Sequence, residues 1–550
     1  MKFRNYSTDS NIVRLTKYQK KGLLRIIFSR LGGIILLLIL QVIMIFSTFT
    51  WFSGYIPYYS TVKVIFTIIM IIYLFNTEMD SSAKLTWLFI IALFPLPGAI
   101  FLAFTQVEVG HIALKRRMLH IIDSTKDCLL QDENVMKALS EDKSGIVEMS
   151  KYLSKTGDFP IYNNTEVTYF SSGEEKYEAL IEELKSAKKF IFLEYFIITE
   201  GYMWGTILKI LIDKVKEGVE VRVLYDGMCE MSQLPHNYAE RLETFGIKAN
   251  TFSKIHPFVS TYYNYRDHRK VLVVDGKVAF NGGVNLADEY INRHKRFGHW
   301  KDSAVMIKGD AVKAYTLMFL QMWSEEQGYV ELGDYLEADS TPRFSETADS
   351  SENKFSPSGY VMPYSDIPLD DEKVGENIYM DVLNRAHSYV HIMTPYLVLD
   401  DELRTSIKYA ASRGVDISII LPGIPDKKMA YALAKSHYKD LVKSGVHIYE
   451  YTPGFVHTKN FVSDDEKAIV GTINLDYRSL YHHFECATYM YKTDAVADVE
   501  RDFQDTLTKC REVNLDTIKH EKIFYKLMGP LVKLIAPLIL KKVLDLCVCL

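Results

Sequence analysis

Three long stretches near the start of the chain contain no charged residue. They cover residues 31–62, 64–77 and 85–107. A bilayer core is crossed by about 20 apolar residues in helical form. Three such runs in succession are not expected of the buried helices in a soluble core. The pattern therefore predicts a membrane region over residues 31–107 with two to three transmembrane segments, behind a basic cytoplasmic tail at residues 1–30.

Basic residues set the expected orientation of this region. Those ahead of the first run place the N-terminus on the cytoplasmic side, whereas three full crossings would place the basic cluster 115–117 on the opposite side. Pro95, Pro97 and Gly98 interrupt the third run, and such breaks are tolerated where protein or water satisfies the backbone. A re-entrant or strongly kinked third segment is the preferred topology. The residues ahead of the first run are Lys2, Arg4, Arg14, Lys17, Lys20, Lys21, Arg25 and Arg30.

Downstream of connecting helices at residues 108–160, helix-like and strand-like patterns alternate twice in the same order. The first round covers residues 161–333 and the second covers residues 359–515, and a polar linker at 334–358 separates them. The matching strand patterns are FIFLEYFII (190–198) and YVHIMTPYL (389–397), VEVRVLYDG (219–227) and VDISIILPG (415–423), and GIKANTF (246–252) and VHIYEYTPG (446–454). Nearly continuous apolar strands between helices are typical of buried sheets. The predicted fold class is α/β, with two repeats of mixed, mostly buried sheets flanked by helices and packed about a pseudo-two-fold axis.

The C-terminal segment, residues 516–550, carries a second membrane signal. Residues 526–546 are apolar but contain four lysines, so they are too interrupted to span a bilayer. They predict an amphipathic helix at the membrane interface, with lysine side chains that reach toward water. A helix packed on the protein core is the alternative, because helical spacing alone does not separate the two.

Composition removes several classes of function. The 550 residues are 48% hydrophobic and 24% charged, with a net charge of −5 and a pI near 6.3. Proteins that bind a phosphate backbone usually carry a basic excess, so nucleic acid is not expected as the main partner. The cysteines show neither a disulfide framework nor a zinc spacing. They are Cys128, Cys229, Cys486, Cys510, Cys547 and Cys549.

Each repeat carries the same string of polar residues at an equivalent place. The pattern H-x-K-x4-D occurs once in HRKVLVVD and once in HTKNFVSD. The two sets are His268, Lys270 and Asp275, and His457, Lys459 and Asp464. An asparagine follows ten residues past each aspartate, at Asn285 and Asn474. One such string arises by chance, but two with matching tails in a duplicated fold indicate a composite site.

The spacing suits chemistry on a phosphodiester. Residues two apart on a strand face the same side, so each histidine projects together with its lysine. Lysines and the amides of Asn285 and Asn474 can bind the non-bridging phosphate oxygens. One histidine can attack phosphorus, while the other protonates the leaving alkoxide and then deprotonates the incoming alcohol. No metal-ligand cluster is visible, and this chemistry needs neither a metal nor another cofactor.

The paired motifs, their GGxN and GTxN tails and the phrase GTINLDYRSLYHHFE (471–485) resemble the phospholipase D superfamily, and within it the bacterial cardiolipin synthases. The resemblance implies transfer of a phosphatidyl group between two phosphatidylglycerols through a phosphohistidine, giving cardiolipin and glycerol. It implies a multi-pass protein of the bacterial cell membrane. The family layout has no counterpart of the apolar span at 31–52. By analogy His268 is the nucleophile and His457 the acid and base, although sequence alone does not order the two.

Carboxylates are predicted to hold the ring tautomers. Glu485 suits His268 across the axis, and Asp302 suits His457. The motif aspartates, although counted with the catalytic sets, are favoured as residues that order local turns. Glu194 lies on a buried strand and either bonds near the site or satisfies a loop, and the histidines at 482–483 are expected at the pocket rim.

Three functions stay open besides the synthase. They are a hydrolase of the phospholipase D type, a transferase with another acceptor, and a non-catalytic membrane protein that binds anionic lipid. Phosphatidylglycerol, cardiolipin and the bilayer are the expected partners. Homo-oligomerisation is left open.

Overall fold

The computed structural model describes residues 7–9, 12–15, 59–77, 79, 81–106, 109–142, 145–254, 265–336 and 358–538. The predicted first membrane run up to residue 58, most of the predicted linker and the last residues of the predicted C-terminal helix lie outside this part. The chain begins with two short antiparallel strands, β1 (Ser7–Asp9) and β2 (Ile12–Arg14). Val13 and Leu15 are buried in the core of the first repeat.

Three apolar helices follow: α1 (Tyr59–Phe75), α2 (Ser81–Leu93) and α3 (Pro95–Gln106). The third apolar run is divided between α2 and α3, because Pro95 lacks a backbone N–H and suits the first position of a new helix. A Cβ at Gly98 would lie 3.1 Å from Ile90 Cγ2, so α3 packs closely on α2. Within the described ranges, no helix has both the length and the apolar character that a membrane crossing requires.

Three amphipathic helices occupy the predicted connecting region. They are α4 (Val109–Ser124), α5 (Glu133–Glu141) and α6 (Ile146–Gly157). Leu114, Met118 and Ile121 are spaced four and three residues apart, which places them on one face of α4. All three are buried in the largest core cluster, together with residues of both repeats. The connecting helices are therefore part of the folded body.

In the described residues the first repeat has nine strands, seven of which form one mixed sheet. Its strands are β3 (Thr165–Phe170), β4 (Phe190–Tyr195), β5 (Glu220–Asp226), β6 (Lys248–Phe252), β7 (Arg266–Asp267), β8 (Lys270–Val274), β9 (Val278–Gly282), β10 (His299–Lys301) and β11 (Ala304–Gly309). Its helices are α7 (Gly173–Ser186), α8 (Tyr202–Lys216), α9 (Met228–Ser232), α10 (Tyr238–Glu243) and α11 (Val312–Trp323), with 3-10 turns at Asp288–Ile291 and Gly333–Tyr335. In the described residues the strand order is β3-β11-β9-β8-β4-β5-β6.

The second repeat has the same topology. Its strands are β12 (Tyr360–Asp366), β13 (Tyr389–Met393), β14 (Asp416–Pro422), β15 (His447–Tyr451), β16 (Gly454–Val456), β17 (Asn460–Ser463), β18 (Lys467–Gly471), β19 (His483–Tyr491) and β20 (Cys510–Val513). Its helices are α12 (Val374–Arg385), α13 (Asp401–Ser412), α14 (Lys428–Lys443), α15 (Tyr477–Tyr481), α16 (Ala495–Leu507), α17 (Leu515–Lys519) and α18 (Ile523–Leu538). The order β12-β19-β18-β17-β13-β14-β15 matches the first sheet strand for strand, and β20 adds one edge. The predicted duplication and mixed α/β fold are confirmed.

Both faces of each sheet are covered, which explains the apolar strand patterns. Along β4, Phe190 and Phe192 enter one core cluster, whereas Ile191 and Leu193 enter another. Successive side chains on a strand point to opposite faces, so a strand buried on both sides has no polar alternation. In β13 the predicted strand 389–397 ends early, at Met393. Pro395 cannot donate to a ladder and restricts the residue before it.

Helix α18 begins earlier than predicted and packs on the second repeat. Val532 is buried against Leu433 of α14, and a Cβ at Gly529 would lie 2.8 Å from the carbonyl oxygen of Ala432. The opposite face exposes large apolar side chains, and α18 also contacts α2. These side chains are Ile523, Phe524, Leu527 and Leu531. The predicted alternative of a helix packed on the protein core thus holds for one face, and among the described residues the other face leaves its apolar side chains exposed.

Candidate active site

Two short cross-repeat ladders bring the two motifs together. β7 pairs in parallel with the start of β19, and the His268 N–H donates to the carbonyl of Phe484 at 3.0 Å. β10 pairs in parallel with β16, and the His457 N–H donates to the carbonyl of Lys301 at 2.7 Å. In both cases the residue after the accepting carbonyl is the predicted orienting carboxylate. The pseudo-symmetry thus places each histidine beside a carboxylate of the other repeat.

The His268 ring is held by Glu485. Its Nδ1 lies 2.8 Å from Glu485 Oε1 and 2.9 Å from Oε2. Thr472 donates its hydroxyl to the same carboxylate, and Phe196 packs edge-on against the imidazole at 4.9 Å between ring centroids. When Nδ1–H donates to the carboxylate, the tautomer leaves the Nε2 lone pair for chemistry.

The His457 ring has the matching arrangement with Asp302. Its Nδ1 lies 2.8 Å from Asp302 Oδ2. The carboxylate accepts hydrogen bonds from the Ser303 N–H at 2.9 Å and from the Trp300 indole N–H at 3.3 Å. Trp300 and Tyr290 pack on the imidazole at 5.2 and 5.5 Å between centroids. Nε2 of His457 is therefore also the nitrogen that is available to a substrate.

The two histidine–carboxylate pairs differ in their electrostatics. Burial, with help from Lys270, lowers the pKa of His268 well below its usual range, and burial raises the pKa of Glu485 well above its own. Burial and Lys459 lower the pKa of His457 to about 4, against an upward pull from Asp302. Burial opposes ionisation of Asp302 as well, but the charges of His457 and Lys459 outweigh it and lower the pKa of Asp302. The second pair therefore supports a positive imidazole better than the first.

The motif lysines are almost completely buried beside the histidines. Each Nζ donates to the carbonyl of its own motif histidine, and Lys459 Nζ lies 2.9 Å from His457 Nδ1. Burial lowers the pKa of Lys270 to about 8 and that of Lys459 to about 7. Ammonium groups that lose solvent in this way gain from an anion placed between them. The arrangement suits a phosphate group.

The motif aspartates lie at the far ends of the motif strands. Asp275 accepts from the N–H groups of Lys188, Lys189 and Phe190 at 2.7–2.9 Å. Asp464 accepts from three consecutive N–H groups, at residues 387–389, at 2.8–3.0 Å. The structure thus does not bring either carboxylate to the imidazoles. It places both where they tie the end of a helix to the turn after the motif strand.

The tail asparagines are buried, and their contacts differ. Asn285 accepts from the Ile197 N–H at 3.0 Å and donates to the Tyr290 hydroxyl at 2.7 Å. Its side chain lines the cavity next to His457. Among the described residues, Asn474 Oδ1 is buried and has no hydrogen-bond partner. The Asn285 side chain therefore lines the site, whereas the Oδ1 acceptor of Asn474 has no partner in the part of the chain that the structure describes.

A third imidazole, from His483, lies beside His268, closer than the rim position predicted for it. The two ring centroids are 5.2 Å apart, and His483 Nδ1 lies 3.6 Å from Glu485 Oε1. The signal was present in the sequence, since residues 483 and 485 are two apart on one strand and face the same side. The donor atoms of His268, His483 and Glu485 lie within 4.8 Å of one another, so this trio has the donor types of a transition-metal site.

A buried charged layer supports the first motif from behind. Glu194 lies 3.7 Å from Arg269, and Asp267 N–H donates to Asp226 at 3.0 Å. Burial raises the pKa of Glu194 well above its usual range and that of Asp267 to about 6. Glu194 thus contacts the residues that flank His268 in sequence.

A cavity of about 160 Å³ opens beside His457 between the two repeats. Tyr290 and Trp300 form its aromatic walls near the imidazole, Phe196 also lines it, and charged side chains line it elsewhere. A concave site with aromatic walls and a few polar groups is the usual form of a small-ligand pocket.

Comparisons with known proteins identify the family. A family model described as "Cardiolipin synthase, PLD-like domain" matches residues 180–323 and 379–507. A cardiolipin synthase of Alkalihalophilus pseudofirmus is 32% identical over 498 residues, covering 89% of this chain and 95% of that protein. The chain belongs to the cardiolipin synthase family. The predicted membership, in the phospholipase D superfamily, is confirmed.

Further relatives and a solved structure extend the likeness. A Halalkalibacterium halodurans cardiolipin synthase is 29% identical over 518 residues, covering 93% of this chain and all of that protein. A Streptococcus mutans protein named only as uncharacterized is 55% identical over 469 residues, covering 85% of this chain and 99% of that protein. The crystal structure of Haemophilus influenzae phosphatidylserine synthase has a TM-score of 0.51 at 17% identity, covering 72% of this chain and 97% of that chain. At that identity the structural likeness shows the fold alone.

Proposed function

We propose that the chain is a cardiolipin synthase that transfers a phosphatidyl group from one phosphatidylglycerol to another. The products are cardiolipin and glycerol, and a phosphohistidine on His268 links the two half-reactions. The observation that carries the mechanism is the pair of buried imidazoles, each held at Nδ1 by a carboxylate of the other repeat at 2.8 Å. Both Nε2 atoms are thereby left to face the same phosphate.

In the first half-reaction Nε2 of His268 attacks phosphorus, and the bond from phosphorus to the glycerol oxygen breaks. Nε2–H of His457 delivers a proton to the departing alkoxide, so that glycerol leaves neutral. In the second half-reaction His457 takes the proton of a hydroxyl on the next phosphatidylglycerol. The new P–O bond forms as the P–N bond breaks, and the electron pair of the P–N bond returns to Nε2 of His268.

The different electrostatics of the two pairs support this order of roles. A nucleophile has to be neutral, and burial favours the neutral form of both His268 and Glu485. An acid has to carry a proton, and an ionised Asp302 stabilises that form of His457. The negative charge of a bound phosphodiester adds to this effect, because an opposite charge favours the protonated ring. Lys270 and Lys459 bind the non-bridging oxygens, whose charge grows in the transition state.

Contact with the bilayer is part of the proposal, since both substrates are lipids. We assign residues 31–107 to the membrane region and α18 to the interface. The supporting observation is that α1 and α2 expose large apolar side chains. Helix α18 contacts α2 and exposes apolar side chains as well. Extended exposed apolar surface is typical of membrane or protein contact. On α1 these side chains are Val64, Ile65, Ile68, Ile69, Ile72 and Phe75.

Incubation of the purified full chain with phosphatidylglycerol vesicles tests the function. We expect cardiolipin and free glycerol in equal amounts, measured by lipid chromatography and by release of headgroup label. Phosphatidic acid as the sole lipid product would assign a hydrolase instead. Failure to turn over any phospholipid would favour the non-catalytic lipid-binding alternative.

The decline of kcat/KM with rising pH is expected to steepen between about pH 7 and pH 8, where the buried lysines lose their charge. Their pKa values are lowered, so the charged forms that bind phosphate exist below this window and are lost as the pH rises through it. A Lys459→Arg variant keeps its charge throughout, and its alkaline limb should move toward the value of Lys270. An unchanged limb in this variant would contradict the assignment of Lys459.

A further inference from the structure

The cavity beside His457 is built from both repeats and carries one cation from each. Arg296 lies in the loop before β10, and Lys427 is the residue immediately before α14. Arg296 is exposed and Lys427 is half-buried. Within the described residues neither forms a salt bridge; Arg296 stacks near Phe297 and Lys427 near Tyr396, at 5.1 and 5.6 Å from the ring centroids. Two cations without a salt bridge among the described residues therefore line the same cavity as His457.

The cavity also offers acceptors for hydroxyl groups. Glu289 and Asp426 line it, one from each repeat. The Tyr396 hydroxyl donates to Asp426 at 2.6 Å, which holds that carboxylate at the cavity wall. One water requires about 10–15 Å³ of such space, so about 160 Å³ accommodates a glycerol headgroup. The carboxylates of the lining suit the hydroxyl groups of a polyol, whereas its cations suit an anion.

The two half-reactions place different groups in this cavity. The alkoxide that leaves and the hydroxyl that attacks both exchange a proton with Nε2 of His457, so they occupy the same place in turn. In the first half-reaction the alcohol at this place is free glycerol, which ends at its last hydroxyl. In the second half-reaction the alcohol is the headgroup of a whole phosphatidylglycerol, and one glycerol length beyond the reacting oxygen lies a phosphate. A cation of the cavity lining thus meets a phosphate of the alcohol only in the second half-reaction.

We propose that Arg296 and Lys427 bind the phosphate of the acceptor phosphatidylglycerol and so select a lipid acceptor over water or free glycerol. This inference rests on the proposed function. Arg296 would contribute a planar set of donors that suits phosphate, and Lys427 would contribute a point charge. The pair makes the acceptor site a feature of the interface between the repeats, like the catalytic pairs themselves.

Two reactions of the same enzyme separate this site from the chemistry. Cardiolipin synthesis requires the acceptor phosphate, whereas exchange of labelled free glycerol into phosphatidylglycerol uses an acceptor that has none. Both reactions pass through the same phosphohistidine and the same proton transfers. They can be measured in one sample of full-length protein with phosphatidylglycerol vesicles and labelled glycerol.

The variants Arg296→Ala and Lys427→Ala are expected to lower the ratio of cardiolipin synthesis to glycerol exchange by about tenfold each, the scale of one lost charge-assisted hydrogen bond. As this ratio falls, the share of phosphatidic acid that is formed by attack of water should rise. Lys295→Ala and Lys428→Ala are the matched controls, since these exposed neighbours do not line the cavity.

An unchanged ratio in both cavity variants, or equal losses of synthesis and exchange in variants that circular dichroism shows to be folded, would overturn the acceptor-phosphate site. A wild-type protein that performs neither reaction would instead overturn the proposed function. Because glycerol exchange also reports folding of each variant, a misfolded variant loses both reactions and gives no selective effect.

Discussion

Replacement of His268 by asparagine is expected to lower cardiolipin formation by roughly 10⁴-fold or more, because removal of a covalent nucleophile removes the whole two-step path. Asparagine keeps a polar side chain of moderate size, but it cannot form the P–N bond. The labelled phosphate group that wild type retains after a denaturing quench at mildly alkaline pH, where a P–N bond survives, should be absent from this variant. The measurement is label bound to protein after incubation with phosphatidylglycerol that carries a labelled phosphate.

His391 provides a matched control for this substitution. It is also a buried histidine with a carboxylate partner, at 2.9 Å between its Nδ1 and Glu500 Oε2, but it lies on β13 outside the site. His391→Asn should keep cardiolipin formation within a few-fold of wild type once corrected for the folded fraction. If His268→Asn retained the label on protein, the nucleophile would be the other motif histidine, and the roles in the mechanism would be reversed.

Replacement of His457 by glutamine should lower cardiolipin formation by about 10²- to 10⁴-fold, the usual contribution of a general acid and base. The expected loss depends on the leaving group. A phosphatidyl ester of p-nitrophenol leaves without protonation, so this variant should still release nitrophenol in a single burst. The phosphohistidine should then accumulate, because no base is present to activate the acceptor.

The burst distinguishes the two histidines directly. His268→Asn should give no burst with the activated ester, while His457→Gln should give one of about one equivalent per active site. Absence of the burst in His457→Gln, with the protein folded by circular dichroism, would contradict its role as acid and base. Equal bursts in both variants would show that neither histidine is the nucleophile.

Much of the site could be predicted from the sequence, because the motif residues follow short-range patterns. His268 and Lys270 lie two apart on a strand, and period-two alternation alone places them on one side. The second copy of the motif, with His457 and Lys459, showed that the pattern had not arisen by chance. Duplication also predicted that the two repeats share one sheet topology, since similar sequences with the same order of helices and strands fold alike, and both sheets have the same strand order.

The carboxylate partners of the two imidazoles belong to the opposite repeat, so their prediction depended on how the repeats pack about the pseudo-two-fold axis. Glu485 and Asp302 were predicted from their spacing, and the structure places both within 2.8 Å of the expected imidazole. His483 was placed only at the rim, although its position two residues before Glu485 on β19 was enough to bring it beside His268. Asn285 and Asn474 have matching positions in sequence but different contacts, because pseudo-symmetry does not extend to the residues that surround each tail.

By itself the sequence determined the two α/β repeats, the composite histidine–lysine site and the family, because hydrophobic periodicity and exact repetition are local properties of the chain. The tertiary structure alone decided what depends on contacts between the repeats. The ladders of β7 with β19 and of β10 with β16 hold each ring to the opposite carboxylate. Burial at that interface lowers the pKa values of His457 and Lys459 to about 4 and 7. The cavity that holds Arg296 and Lys427 exists only between the repeats, since residues far apart in sequence meet there through packing and not through spacing.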